Sequence, residues 1–117
     1  MTRQFYETRP ADNETVCYVG MMTTVIRFNI EEVEGGYECD EVEYTHKEPL
    51  TEDDYASMVS ALVRSKFSQD EVEAIQLNYM ESKTTEHKNE FAALKAWRAI
   101  VKERARAVIA ETKDTNS

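Results

Sequence analysis

The chain has 117 residues, the length of one domain with a single hydrophobic core. It carries 23 acidic and 14 basic side chains, so its net charge is −9. This charge argues against nucleic acid as a partner, because binding to phosphates needs clustered lysine and arginine. No stretch approaches 18 consecutive apolar residues, so we expect no membrane span and no membrane partner.

The N-terminal segment does not read as a secretory signal, because it has no apolar stretch and no small-residue cleavage site. We therefore expect a cytoplasmic protein. In that setting Cys17 and Cys39 are expected to remain thiols, although both fall in strand-like segments where a disulfide is geometrically possible.

Charge is distributed unevenly along the chain. Residues 31–54 contain eleven acidic residues and one basic residue, whereas residues 88–106 contain six basic and two acidic ones. One interpretation is two solvated faces of a sheet and a helix. The other is a docking surface steered by charge. The candidate interaction surface comprises Glu38, Asp40, Glu41, Glu43, Arg98, Lys102 and Arg106.

The N-terminal part of the chain is predicted to be β. Residues 1–14 form a lead-in, in which Phe5 and Tyr6 could pair as a short strand. Residues 15–33 are rich in β-branched and aromatic side chains. Within them Ile26, Phe28 and Ile30 alternate with polar residues. This period of two predicts a strand with one buried face and one solvent-exposed face.

A glycine turn is followed by a partner strand that runs to about residue 46. A three-residue loop over residues 34–36 would pair Phe28 with Val42 and Ile26 with Tyr44, which keeps the apolar side chains on one face. This register also places Asp40 opposite an apolar residue near the edge of the inner face.

Three helices are predicted after the strands. Thr51 with Asp54 and Ser68 with Glu71 are capping-box pairs, which predict helices over about 51–66 and 68–82. A long helix over about 86–111 is followed by a flexible tail at 112–117. The whole chain is therefore expected to be one α+β domain: an antiparallel meander of two to four strands followed by three helices, the last one long.

The inner face of the sheet is expected to meet one apolar stripe from each helix. The stripes come from Tyr55, Leu62, Ile75 and Trp97, and Trp97 is expected in the core rather than at the surface.

No motif of an enzyme, metal or cofactor site is present. The cysteines and the two histidines, His46 and His87, are isolated and widely spaced, unlike zinc ligands. Glu38 and Asp40 flank Cys39 and would raise the pKa of its thiol, which argues against a nucleophile. We therefore predict no enzyme activity, no catalytic, cofactor-binding or metal-binding residue and no cofactor.

A family resemblance covers about two thirds of the chain. Its segments are Gly35-Gly36, Val42-Glu43-Tyr44, Leu50-Thr51, Asp54-Tyr55, Met58-Val59-Ser60-Ala61, Asp70-Glu71-Val72-Glu73-Ala74-Ile75 and Leu94-Lys95-Ala96-Trp97-Arg98. In these the chain resembles small uncharacterised phage or prophage-type proteins of gut bacteria. The resemblance implies an accessory or structural role in phage particles or their assembly, with a virion-associated location as the alternative to the cytoplasm. It carries over no functional residues.

The first functional hypothesis is a non-enzymatic protein–protein interaction or structural module, with a protein partner or self-association into a homo-oligomer. The alternative is a small acidic regulator that binds a basic partner surface, for which the acidic segment 31–54 is the support.

Overall fold

The computed structural model describes residues 1–47 and 49–116, with side chains up to residue 111. It confirms an α+β fold in which a four-stranded antiparallel sheet precedes three helices, the last one long. The strands are β1 (Thr2–Tyr6), β2 (Asn13–Tyr18), β3 (Met21–Val33) and β4 (Gly36–His46). The helices are α1 (Tyr55–Lys66), α2 (Gln69–Glu81) and α3 (Thr85–Asn116).

The strand order is β1-β4-β3-β2, so only β2, β3 and β4 form a meander. Strand β1 lies on the other side of β4, with Tyr6 opposite Tyr37. The close approach requires a glycine at position 36, where a Cβ atom would lie 2.3 Å from the backbone oxygen of Tyr6. The first fourteen residues, predicted as a lead-in, therefore supply one edge strand and the beginning of the other.

The predicted register of β3 and β4 is wrong by two residues. Ile26 pairs with Val42 and Phe28 with Asp40, and the loop is the two-residue Glu34-Gly35. The shorter loop accounts for one of the two residues, and an irregularity between Phe28 and Glu31 accounts for the other, because it inserts one extra residue into β3 and changes the side-chain alternation. A shift of two residues keeps Ile26, Phe28, Val42 and Tyr44 on the predicted face.

The same irregularity removes Ile30 from the predicted inner face. Asn29 at this point has φ of 54°, a left-handed conformation that asparagine tolerates better than most residues. Ile30 is half-buried and lies outside the core cluster of the described residues. The prediction that Ile30 lies on the inner face is therefore wrong, because a local bulge interrupts the strict alternation of the strand.

Both predicted capping boxes are present. The Thr51 hydroxyl accepts from the Asp53 amide, and the Thr51 amide donates to Asp54; a 3-10 turn over Glu52–Asp54 then leads into α1. The Ser68 hydroxyl and the Glu71 carboxylate bind each other's backbone amides at the start of α2. Helix α3 continues to Asn116, beyond the predicted end at 111. The side chains of residues 112–117, predicted to form a flexible tail, lie outside the described ones, so the flexibility of this segment stays a prediction.

The core lies between one face of the sheet and the helices. Its buried residues are Ile26, Phe28, Val42, Leu50, Met58, Val59, Leu62, Val63, Leu94, Trp97, Val101, Ala105, Val108 and Ile109. Helix α2 packs mainly on α3, contributes no fully buried residue, and lays Val72 and Ile75 against the rim of this cluster.

Trp97 is in the core, as predicted. It is 5% exposed, and its ring centre lies 5.0 Å from that of Phe28. Its indole N–H donates to the backbone oxygen of Leu62 at 3.1 Å, which satisfies its polar group inside the core. This side chain therefore ties the sheet, α1 and α3 together.

Candidate functional site

The predicted acidic residues do not form one surface, because they divide between the two faces of β4. Asp40 lies opposite Phe28 on the helix-facing side, where Arg3 of β1 contacts both Asp40 and Glu38. Arg3 also pairs with Glu31, so one guanidinium gathers three carboxylates from two strands. The group is exposed, and its acidic charge is partly compensated within the chain.

Glu41 lies on the opposite face and is engaged by Arg27. The Arg27 side chain is 3% exposed, and its Nε lies 2.7 Å from a Glu41 oxygen. Arg27 also pairs with Glu14 and donates to the backbone oxygen of Ala11 at 2.9 Å. The sequence placed Arg27 on a wet face; the connection from β1 to β2 covers it instead.

Hydrogen bonding and burial shift the pKa values of this outer cluster. The Tyr6 hydroxyl donates to Glu41, and this bond together with burial raises the pKa of Tyr6. Burial raises the pKa of the Cys39 thiol, and the neighbouring Glu41 charge raises it further. Cys39 is fully buried and held in its neutral form, so its surroundings oppose a role as a nucleophile.

Glu43 is the fourth predicted acidic residue, and it is exposed on the same face as Glu41, opposite Val25. Of the four carboxylates, Glu41 is therefore taken up in a nearly buried cluster, Glu38 and Asp40 share Arg3, and Glu43 faces solvent. The acidic half of the predicted surface is therefore divided between two faces and partly compensated within the chain.

The predicted basic residues, in contrast, do lie together. Arg98, Lys102 and Arg106 are spaced by four residues, which places them in one row along α3. Arg98 and Arg106 are exposed and Lys102 is half-buried. In the part of the chain that the structure describes, no ion pair joins them to a carboxylate.

Two residues of this row, Arg98 and Lys102, border a surface groove between the three helices. The groove has a volume of about 480 Å³. The α1 side chains Val59 and Val63 and the α2 side chain Val72 form its apolar floor, and Arg98 and Lys102 stand at its rim. We call it the basic groove.

Tyr55 extends the basic groove along α3. It lines both the groove and an adjacent hollow bordered by Glu52, Arg106, Ile109 and Ala110. The Arg106 guanidinium lies over the Tyr55 ring, 5.2 Å from its centre. From residue 98 to residue 109 the helix rises by about 16 Å, a length that two to three turns of a partner helix would cover.

The sequence predicted the basic row but not the apolar floor of the basic groove, because the pattern of Val59, Val63 and Val72 is that of ordinary core positions. Their spacing predicts a buried face correctly. Whether a neighbouring helix covers such a face completely depends on how α1, α2 and α3 diverge, and no sequence pattern carries that information.

The remaining candidate groups are separated from one another. Cys17 and Cys39 are free thiols, exposed on β2 and buried on β4. His46 hydrogen-bonds to the hydroxyl of Thr24 at 2.8 Å on the helix-facing side of the sheet. The His87 ring contacts the backbone oxygen of Ser82. Among the described residues no three histidine, cysteine or acidic side chains are grouped as metal ligands.

Comparisons with protein-family models, with curated proteins and with solved structures find no match for this chain. In residues 1–47 and 49–116, none of the helices combines the length and the apolar character that crossing a membrane demands. The case for a function therefore depends on the geometry and charge of the surface.

Proposed function

We propose that this protein is a non-enzymatic protein–protein interaction module, and that its basic groove binds an acidic, partly apolar segment of a partner protein. The observation that carries the proposal is the row Arg98, Lys102 and Arg106, of which the first two line a groove with an apolar floor and the third lines the adjacent hollow. The resemblance to phage-type proteins favours an accessory role in phage assembly as the setting for such binding.

Charge complementarity selects the partner. Three cations in one row attract carboxylates, and the described part of this chain provides them with no ion-pair partner. Guanidinium and ammonium groups at a rim accelerate and orient encounter, whereas apolar burial beneath them supplies most of the affinity. A segment with acidic residues on one side and aliphatic residues on the other satisfies both requirements.

A second candidate is an acidic regulator that binds a basic partner surface. Three carboxylates around the single Arg3 leave an exposed group with negative net charge, which favours this reading. We rank it second, because Arg3 already compensates part of that negative charge and Glu41 already forms an ion pair with Arg27.

Fluorescence anisotropy with designed labelled peptides tests the proposal. The first peptide is a helical segment with a glutamate face and a leucine stripe, and the second replaces each glutamate by lysine. We expect the acidic peptide to bind at low ionic strength and to weaken about tenfold or more at high salt, since rim charges are screened. Binding of the lysine peptide alone would favour the acidic regulator instead.

Matched charge removals locate the site. The triple variant Arg98→Gln, Lys102→Gln, Arg106→Gln is expected to reduce acidic-peptide affinity at least about tenfold. A control that removes three other basic residues of the helical layer, Lys83→Gln, Lys88→Gln, Lys95→Gln, should retain most of the affinity. Equal losses in the two variants would mean that net charge alone attracts the peptide, and the basic groove would be rejected.

A further inference from the structure

A second surface, separate from the basic groove, is the edge of the sheet at β2, where no further strand of the described residues is paired and the Asn13 side chain is hydrogen-bonded to Glu111 of α3. This strand is last in the order β1-β4-β3-β2, and all its residues after Asn13 are exposed. Val16 and Tyr18 project from it, and Val19 and Met21 extend the exposed apolar surface into the hairpin tip. Such an edge offers a free row of backbone donors and acceptors.

The pairing with β3 shows which backbone groups are free. The Arg27 amide donates to the backbone oxygen of Asp12 at 2.8 Å, so position 12 faces β3. In a regular antiparallel pair alternate residues face the neighbour, and β2 and β3 pair without interruption from Asn13 to Tyr18. The backbone groups of Asn13, Thr15 and Cys17 therefore point outward.

The edge lacks the protection that most edge strands have. Its one charged residue is Glu14, whose carboxylate is already held by Arg27, and the strand contains no lysine, proline or bulge. The opposite edge, β1, carries Arg3 with its group of carboxylates. On a chain of net charge −9, β2 is thus a nearly neutral strip where a second copy can approach.

We propose that β2 pairs antiparallel with β2 of a second copy, about a two-fold axis at Thr15. Thr15 then faces Thr15 of the second copy, and Cys17 faces its Asn13. All three outward-facing residues find hydrogen-bonding partners, and Glu14 lies opposite Val16 rather than opposite another carboxylate.

The near-neutral charge of β2 favours a second copy of this chain as the strand that pairs with it. A charged partner strand would find no counter-charge on β2, whereas a two-fold axis brings the same neutral strip against itself. The result is a continuous eight-stranded sheet. Because one strand pair is a small interface, the dimer is expected to be weak and concentration-dependent. This surface is separate from the basic groove, so either proposal can fail alone.

Disulfide trapping tests the register. In a Cys17→Ser background, single reporters are Thr15→Cys, Val16→Cys and Thr2→Cys, the last on the opposite edge. Directly opposed residues of a hydrogen-bonded pair lie about 5.5 Å apart at Cα, within disulfide range. We expect mild oxidation to give a covalent dimer chiefly with Thr15→Cys. Crosslinking that favours Val16→Cys, or is equal with Thr2→Cys, overturns the Thr15-centred pairing.

Light scattering over a concentration series of the unmodified chain provides the second test. We expect the mass to rise towards that of a dimer. Thr15→Glu places two like charges directly opposite and should keep the chain monomeric, whereas Thr2→Glu adds the same charge elsewhere and should leave dimerisation intact. A chain that stays monomeric throughout, or equal effects of the two glutamates, contradicts the proposal.

Discussion

The acidic residues of β4 and the basic residues of α3 come from stretches of opposite charge bias, and their surroundings in the fold differ. Arg27 draws Glu41 into a nearly buried cluster, and Arg3 gathers Glu38 and Asp40. On α3, Arg98 and Lys102 instead border a groove with an apolar floor, and Arg106 borders the adjacent hollow. A charge run therefore indicates a binding surface only where the fold leaves it uncompensated.

The two groups of charges differ because neighbouring side chains are determined locally on a helix but by long-range pairing in a sheet. Side chains four residues apart on a helix share a face whatever surrounds the helix, so the spacing of Arg98 and Lys102 already defined their row. Neighbours across a sheet come from distant parts of the chain: Arg3 reaches Asp40 across 37 positions. Among the described residues, pairing of this kind brought a cation within ion-pair distance of Glu38, Asp40 and Glu41, whereas no carboxylate lies within that distance of the row on α3.

The largest expected effect comes from the cluster that neutralises Glu41. Arg27→Met keeps a long side chain but leaves Glu41 without its cation in a site that is 11% exposed. We expect a loss of about 3 kcal/mol in the free energy of unfolding, measured by urea denaturation.

The matched control is Lys102→Met, which removes a base from the row on α3. It should change the free energy of unfolding by no more than about 0.5 kcal/mol. If the two substitutions cost the same, the contrast between a compensated and an uncompensated charge is wrong.

An intermediate effect is expected from Tyr44, whose hydroxyl donates to Asp54 at 3.2 Å. Burial raises the pKa of Tyr44, and the Asp54 charge raises it further. A raised pKa in the folded state favours the protonated form. Its contribution is therefore complete below the unfolded pKa of about 10 and is lost as the pH rises from there through the folded pKa.

Tyr44→Phe should cost about 1 kcal/mol at neutral pH and make the alkaline fall in stability less steep. Urea titrations at a series of pH values measure both quantities. An alkaline limb that is as steep in the variant as in the original chain would show that Tyr44 does not contribute to it.

The smallest effect is expected at the exposed acidic group. Arg3→Gln removes three ion pairs from Glu31, Glu38 and Asp40, but the Arg3 side chain is 38% exposed. Solvent and salt screen such pairs, so we expect a loss of stability smaller than that of Tyr44→Phe, and one that shrinks in high salt. A salt-independent loss as large as that of Arg27→Met would mean that the carboxylates around Arg3 depend on their cation as strongly as Glu41 depends on Arg27.

The sequence alone determined the features that depend on local geometry. Capping pairs at Thr51 and Ser68 marked where the helical segments begin, and the period of apolar residues showed that Trp97 faces inward. Alternation also identified the inner face of the sheet at Ile26 and Val42. Each of these depends on residues a few positions apart, whose relation the backbone dictates.

Only the tertiary structure decided the rest. The partner of β1, the bulge at Asn29 and the burial of Arg27 arise from pairing between remote segments, for which sequence periodicity gives no distance. The groove beside Lys102 likewise depends on the angles at which three helices meet. These features decide which charges and which strand edge remain available to a partner, because availability is a property of the whole packed molecule and not of one segment.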